Sequence, residues 1–224
     1  MNPFKSRNLF IEGPAGKLET VVAEPDSAAP RGIAIVAHPH PLYGGTMNNK
    51  IVHTLFNSFL ELGFIAAKFN FRGVEESEGT LNSGEDNCSG EIEDVLAVTE
   101  TLRQQFAGHF DMPSPLALAG FSFGGAIQAH AARQLKPQIL ALVAPAVQRL
   151  NAPPVAHPAT THDTEYISRV LIIQGDQDDV VPLKSVLDWA APQELPVVVV
   201  PGAEHFFHRR LHILKHIVLD SCRP

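Results

Sequence analysis

A chain of 224 residues with 45% hydrophobic and 18% charged side chains can bury a sizeable core, which excludes a disordered polymer and points to one domain over 1–224. A formal net charge of −7 at pH 7, with a pI near 5.8, supplies no basic surface for phosphates, so neither nucleic acid nor an anionic membrane is an expected partner. Cys88 and Cys222 form no C-x-x-C pattern and no stretch has the length of a membrane span, so a cytoplasmic protein with a small-molecule partner is expected.

Residues 9–12 and 17–23, separated by Gly13-Pro-Ala-Gly16, read as an antiparallel hairpin. The apolar run 33–37 has the character of a strand covered on both faces, and it ends in His38-Pro-His-Pro41 and Gly44-Gly-Thr46. Residues 48–62 carry Ile51, Val52, Leu55, Phe56, Phe59 and Leu60 at helical spacing, closed by Gly63, and a second buried strand follows over 64–69. An acidic, glycine-bearing loop runs from Val74 to Gly90 and leads into a helix over 91–106. Further strands are expected at 116–120, 138–143, 170–174 and 197–200, with helices at 125–135, 183–190 and 206–219 and a proline-rich loop through Pro153, Pro154 and Pro158. Strands alternating with helices imply a mostly parallel central sheet with helices on both faces, whose sites lie at the carboxyl ends of the strands.

The chemistry concentrates at Gly120-Phe-Ser-Phe-Gly124, a G-x-S-x-G turn that follows a short apolar strand and opens an Ala-rich helix. In that context the spacing describes a nucleophile elbow, which needs glycines because strand and helix pass closely around a strained serine. Ser122 is the nucleophile. A serine hydroxyl needs a general base and a group to orient that base. Asp176, Asp178 and Asp179 crowd the loop after the strand at 170–174, and His205 lies in the loop after the last strand, so the chain order is Ser, Asp, His. Phe123, the residue after the nucleophile, supplies one N–H to an oxyanion. His208, His212 and His216 are spaced like a metal-binding helix face. No Glu accompanies them, and Arg209, Arg210 and Lys215 repel a cation, so a solvated face is expected, with no metal and no cofactor.

The elbow, the loop Gly175-Asp-Gln-Asp-Asp-Val-Val-Pro182 and the loop Gly202-Ala-Glu-His-Phe-Phe207 resemble those of the α/β-hydrolase superfamily over nearly the whole chain. The segments His38-Pro-His-Pro-Leu-Tyr-Gly-Gly-Thr-Met-Asn-Asn-Lys50 and Phe69-Asn-Phe-Arg-Gly-Val74 are similar to those of its small, capless members, which are related to carboxylesterases and more distantly to dienelactone hydrolases. The resemblance implies an α/β-hydrolase fold without a cap domain. It also implies that Asp178, which fits D-x-x-V-P, is the acid, that His205 is the base, that the His40 amide is the second oxyanion donor, and that Arg72 is structural. The family has glycine where this chain has Glu75; since Glu enters positive φ with difficulty, a changed loop shape is expected there. His38 is expected to orient its loop by hydrogen bonds.

The function implied is hydrolysis of small or medium carboxylic esters in an open site ringed by Tyr43, Phe121, Phe206 and Phe207, since too little chain separates Ser122 from Asp178 to build a cap. The alternatives are a small peptidase or a thioesterase on the same triad, or a non-catalytic binding protein on an idle hydrolase fold. Oligomeric state is left open.

Overall fold

A computed structural model describes residues 5–26, 29–81, 88–110, 114–155 and 167–223. Eight strands form one sheet in the order β1-β2-β4-β3-β5-β6-β7-β8, where β1 is Ser6–Gly13, β2 Gly16–Ala23, β3 Ile33–Ala37, β4 Ile65–Phe69, β5 Leu116–Phe121, β6 Ile139–Val143, β7 Arg169–Gly175 and β8 Val197–Val200. The leading hairpin is antiparallel and joins β4 antiparallel; every other pairing is parallel. Parallel neighbours need crossovers, and the chain supplies them with α1 (Lys50–Glu61), α2 (Ser89–Gln105), α3 (Phe123–Leu135) and α4 (Leu183–Ala190), followed by α5 (Leu211–Cys222).

Alternation along the strands sorts the side chains into two cores. Ile33, Ile35, Leu116 and Leu118 face α2, α3 and α4, while Ala34, Val36, Ala117, Ala119 and Phe121 face α1 and α5. With both faces covered, β3, β4, β5 and β6 are buried along their whole length, which is why they read as continuous apolar runs. Helix α1 starts where the Asn49 side chain accepts from the Ile51 N–H at 2.8 Å, and Gly63, at φ 86, follows its end.

One element, the last helix, differs from the sequence expectation. The last helix begins at Leu211 rather than at 206, because Phe207 and Arg209 take φ of 52° and 60°, and a helix cannot pass through them. Residue 208 therefore precedes α5, and the three histidines do not share one helix face. Residues 82–87 of the acidic loop and Pro158 lie outside the described residues, while Val74, Glu75 and Gly90 lie within them.

Candidate active site

Ser122 sits between β5 and α3 with φ 53° and ψ −113°, a conformation a side-chain-bearing residue holds only where its surroundings enforce it. They do so here. The Ser122 N–H donates to the Val143 carbonyl at 2.9 Å, and the Ser122 carbonyl accepts from the Ala126 and Ala146 amides. The flanking glycines are steric requirements. A Cβ at Gly124 would lie 2.5 Å from the carbonyls of Ala37 and His38, and one at Gly120 would strike the Gly124 backbone.

His205 bridges the two polar partners expected of it. Its Nε2 lies 3.1 Å from Ser122 Oγ and its Nδ1 2.7 Å from Asp178 Oδ2, with all three side chains nearly buried. Asp178 is fixed more tightly than a single contact could manage. Oδ1 accepts from the Val180 and Val181 amides at 3.0 and 2.7 Å, and Oδ2 accepts from Gln174 Nε2 at 3.0 Å in addition to the imidazole. Gln174, at the end of β7, also donates to the Val181 carbonyl at 2.9 Å and so ties strand to loop. The neighbouring acids do other things: Asp176 accepts from the Gly202 amide, joining the two loops, and Asp179 is exposed at the cavity rim.

The loop after β3 is bolted to the loop after β4. His38 is fully buried, with Nδ1 2.7 Å from the Pro39 carbonyl and Nε2 accepting from the Phe71 N–H at 3.1 Å. Both contacts require the neutral Nδ1–H tautomer, and burial lowers the His38 pKa to about 4. Lower in the same segment, the Met47 amide donates to Asn70 Oδ1 at 2.8 Å, and Lys68 Nζ reaches the Met47 carbonyl and Asn48 Oδ1 at 3.2 Å each. His40 follows His38 by two residues. Its carbonyl accepts from the Tyr43 and Gly45 amides and its Nδ1 from the Leu42 amide, while its ring packs 4.7 Å from that of Phe123. Burial, and secondarily the charge of Arg149, lower the His40 pKa.

The family model Hydrolase_4, described as serine aminopeptidase, S33, matches residues 29–162. The chain is 32% identical over 224 residues to an uncharacterised protein of Rickettsia prowazekii, with 95% of this chain and 87% of that one covered. Among solved structures, an alpha-beta serine hydrolase homologue from Coxiella burnetii is 38% identical, covers 96% of this chain and 97% of its own, and superposes with a TM-score of 0.80. A serine hydrolase without a lid from Xanthomonas campestris is 35% identical, covers 98% and 94%, and has a TM-score of 0.79. The chain belongs to the α/β serine hydrolases.

In this hydrolase a cavity of about 690 Å³ opens above Ser122 and His205. Tyr43 and Phe206 line it, 80% and 45% exposed, together with His40, Phe123, Arg149, Leu150 and Val180. Phe121 and Phe207 do not. Both are fully buried in the core under α1 and α5, because Phe121 has the strand parity of Ala117 and Ala119, and the positive φ of Phe207 turns its ring inward. Among the described residues no helix is long and apolar enough to cross a membrane.

Arg72 forms a buried ion pair with Asp94, Nη2 to Oδ1 at 2.7 Å, and its backbone amide binds the same carboxylate at 3.0 Å. Glu75 takes φ 49°, the positive region that glycine enters at no cost and a residue with a Cβ enters with difficulty. The Val74 amide donates to Phe71, and the Glu78 amide and carboxylate bind Lys17, fixing the turn from both sides. Sequence reasoning missed Gln174, Asn70 and Lys68. Each is a lone polar residue at or beside an apolar strand, the pattern of a buried side chain with a specific partner.

Proposed function

We propose that this hydrolase cleaves small or medium carboxylic esters through an acyl-enzyme on Ser122. The observation that carries the reading is the hydrogen-bonded series Asp178, His205, Ser122 at the floor of an open cavity. Ser122 Oγ attacks the ester carbonyl while His205 Nε2 takes its proton. Asp178, its second oxygen already occupied by two amides, keeps Nδ1 protonated and Nε2 free to accept, and stabilises the imidazolium once formed. The tetrahedral oxyanion is held by the N–H of Phe123, which as the first residue of α3 has no helical acceptor, and by that of His40 on its anchored loop. His205 then protonates the departing alcohol, and a water repeats the sequence to release the acid. Tyr43 and Phe206 contact the substrate. No step calls on a metal or cofactor.

The family description also favours a second reading, cleavage of an aminoacyl amide on the same triad, with a thioesterase as a third variant. Amides demand more of His205, since an amine must be protonated as it leaves. The reading places the enzyme in the cytoplasm, where Cys88 and Cys222 stay as thiols.

The deciding experiment profiles acyl esters, thioesters and aminoacyl amides with purified protein beside Ser122→Ala. A fluorophosphonate should label Ser122 and fail to label the variant. Equal labelling of both, or turnover confined to amides, overturns the ester reading.

A further inference from the structure

A second cavity, of about 310 Å³, adjoins the first, and Asn49 and Phe206 line both. Its floor is apolar, from Ile51, Phe206 and Leu211, and Asn48, Lys50, His208 and Arg209 stand around it. The polarity of these groups is one-sided. Asn49 Oδ1 accepts from the Ile51 amide and Asn48 Oδ1 from Lys68 Nζ, so the side-chain oxygens are engaged and the group each asparagine has left to offer a ligand is its NH2 donor. Lys50 and Arg209 carry donors only and form no ion pair among the described residues. The nearby Glu204 carboxylate is already engaged: Oε1 accepts from the His208 amide at 2.6 Å and faces its Nδ1 at 3.0 Å, and Oε2 accepts from the Phe206 amide at 3.1 Å. Set against the single negative charge of Glu204, whose oxygens are taken by these bonds, the two cations Lys50 and Arg209 and the two amide donors leave the edge of the cavity net positive in a protein of net charge −7, which matches it to an anion.

The position of this cavity assigns the anion to one end of the substrate. A catalytic histidine passes its proton to the leaving group, so the alcohol portion of an ester at Ser122 lies against His205. The Phe206 ring stands 5.1 Å from the His205 imidazole and forms the wall between the two cavities. An alcohol chain leaving the triad past Phe206 enters the donor-lined space after running over an apolar floor. We infer that the enzyme is built for esters whose alcohol carries a carboxylate or phosphate a few methylenes from the ester oxygen, with Lys50 and Arg209 as specificity-determining residues. This rests on the ester-hydrolase reading above. The reaction releases an ω-hydroxy acid or a phosphorylated alcohol together with the free acyl acid, and water supplies the atoms of the second step.

The test is a set of acetyl esters of ω-hydroxy acids with two to five methylenes, each beside its neutral primary amide, plus the acetyl ester of a phosphorylated four-carbon diol; acetate release is measured on wild type and on K50Q/R209Q. For wild type, kcat/KM on at least one carboxylate or phosphate ester should exceed that on its neutral counterpart by about tenfold or more, mainly through KM, and fall towards equality in 0.5 M NaCl. In the double variant the ratio should drop to near one, with thermal unfolding within a few degrees of wild type showing that the fold is kept. Preference for the phosphate ester alone identifies phosphate as the ligand group, and preference for a carboxylate alone identifies carboxylate. Equal rates on charged and neutral esters, or a preference that survives the double substitution, overturn the anion site while leaving the ester reading standing. Absence of turnover on the neutral amides as well as on the acids overturns both.

Discussion

His38 offers a quantitative test of how the β3 loop is held. Replacing it with Leu keeps a buried side chain of comparable size but leaves the Phe71 N–H and the Pro39 carbonyl without partners. At about 1–3 kcal/mol for each orphaned group, the loss at pH 8 should be about 3 kcal/mol. The loss must depend on pH. His38 has a pKa near 4 in the folded protein against 6.5 when unfolded, so the native state prefers the neutral ring. For a depressed histidine pKa the stabilisation is fully present above 6.5 and is lost as pH falls towards 4, because the unfolded chain takes up the proton first. At pH 5 that penalty on wild type is about 2 kcal/mol, and His38→Leu does not pay it. The gap between wild type and variant should therefore shrink from about 3 to about 1 kcal/mol. Other titrating groups cancel in the difference. Guanidinium unfolding at pH 8, 6.5 and 5, followed by the fluorescence of Trp189, the only tryptophan, measures it. A gap constant across that range would mean that His38 titrates normally and that it does not hold the β3 loop to the Phe71 amide.

Asp178→Asn should lower kcat by about 10³–10⁴ with unchanged circular dichroism, whereas Asp179→Asn should cost less than tenfold; a larger loss at Asp179 would reverse the choice of acid. Phe207→Ala should destabilise the protein by about 3–5 kcal/mol, while Phe206→Ala should leave stability within about 1 kcal/mol and raise KM; the melting temperatures of the two variants decide between core and cavity wall. In a C2 to C16 p-nitrophenyl ester series short chains should be preferred, with no jump in rate at the micellar threshold; a C12 optimum or an interfacial jump would mean that some segment closes over Ser122.

The strands and most helices were legible because their causes are local. Runs such as Ile33–Ala37 and Val197–Val200 can only be strands when four or five apolar residues stand between turn signals. Asn49, Gly63 and the elbow glycines likewise act within a few residues of themselves. Ser122, Asp178 and His205 were legible as a set for a different reason: each stands just beyond an apolar strand, and a parallel sheet gathers those ends together. The contacts that fix Asp178 were not. Gln174 acts through a loop whose path the sequence does not state, and Arg149 and Asn49 enter the cavity from elements far apart along the chain.

The two aromatic residues misplaced in the cavity show where pattern reading stops. Phe121 directly precedes the nucleophile, and the sequence reading places it at the mouth. Strand parity contradicts that: Leu116, Leu118 and Gly120 lie on one face of β5, so Phe121 must share the other with Ala117 and Ala119. That signal was available. Phe207 had none, since Phe206–Leu219 carries apolar residues at helical spacing and nothing in that spacing announces the positive φ of Phe207 and Arg209. What interrupts the helix is tertiary. Arg210 Nε reaches back to the Gly202 carbonyl at 3.0 Å, Phe207 fills the core beneath α1 and α5, and His205 is left at the height of Ser122. Continuing α5 back to residue 206 would withdraw Phe207 from that core and carry the imidazole away from the serine. Glu75 follows the same logic in reverse. The positive φ costs about 1 kcal/mol for a residue with a Cβ, yet the turn is clamped by Phe71, Val74 and Lys17, so the residue bears the strain.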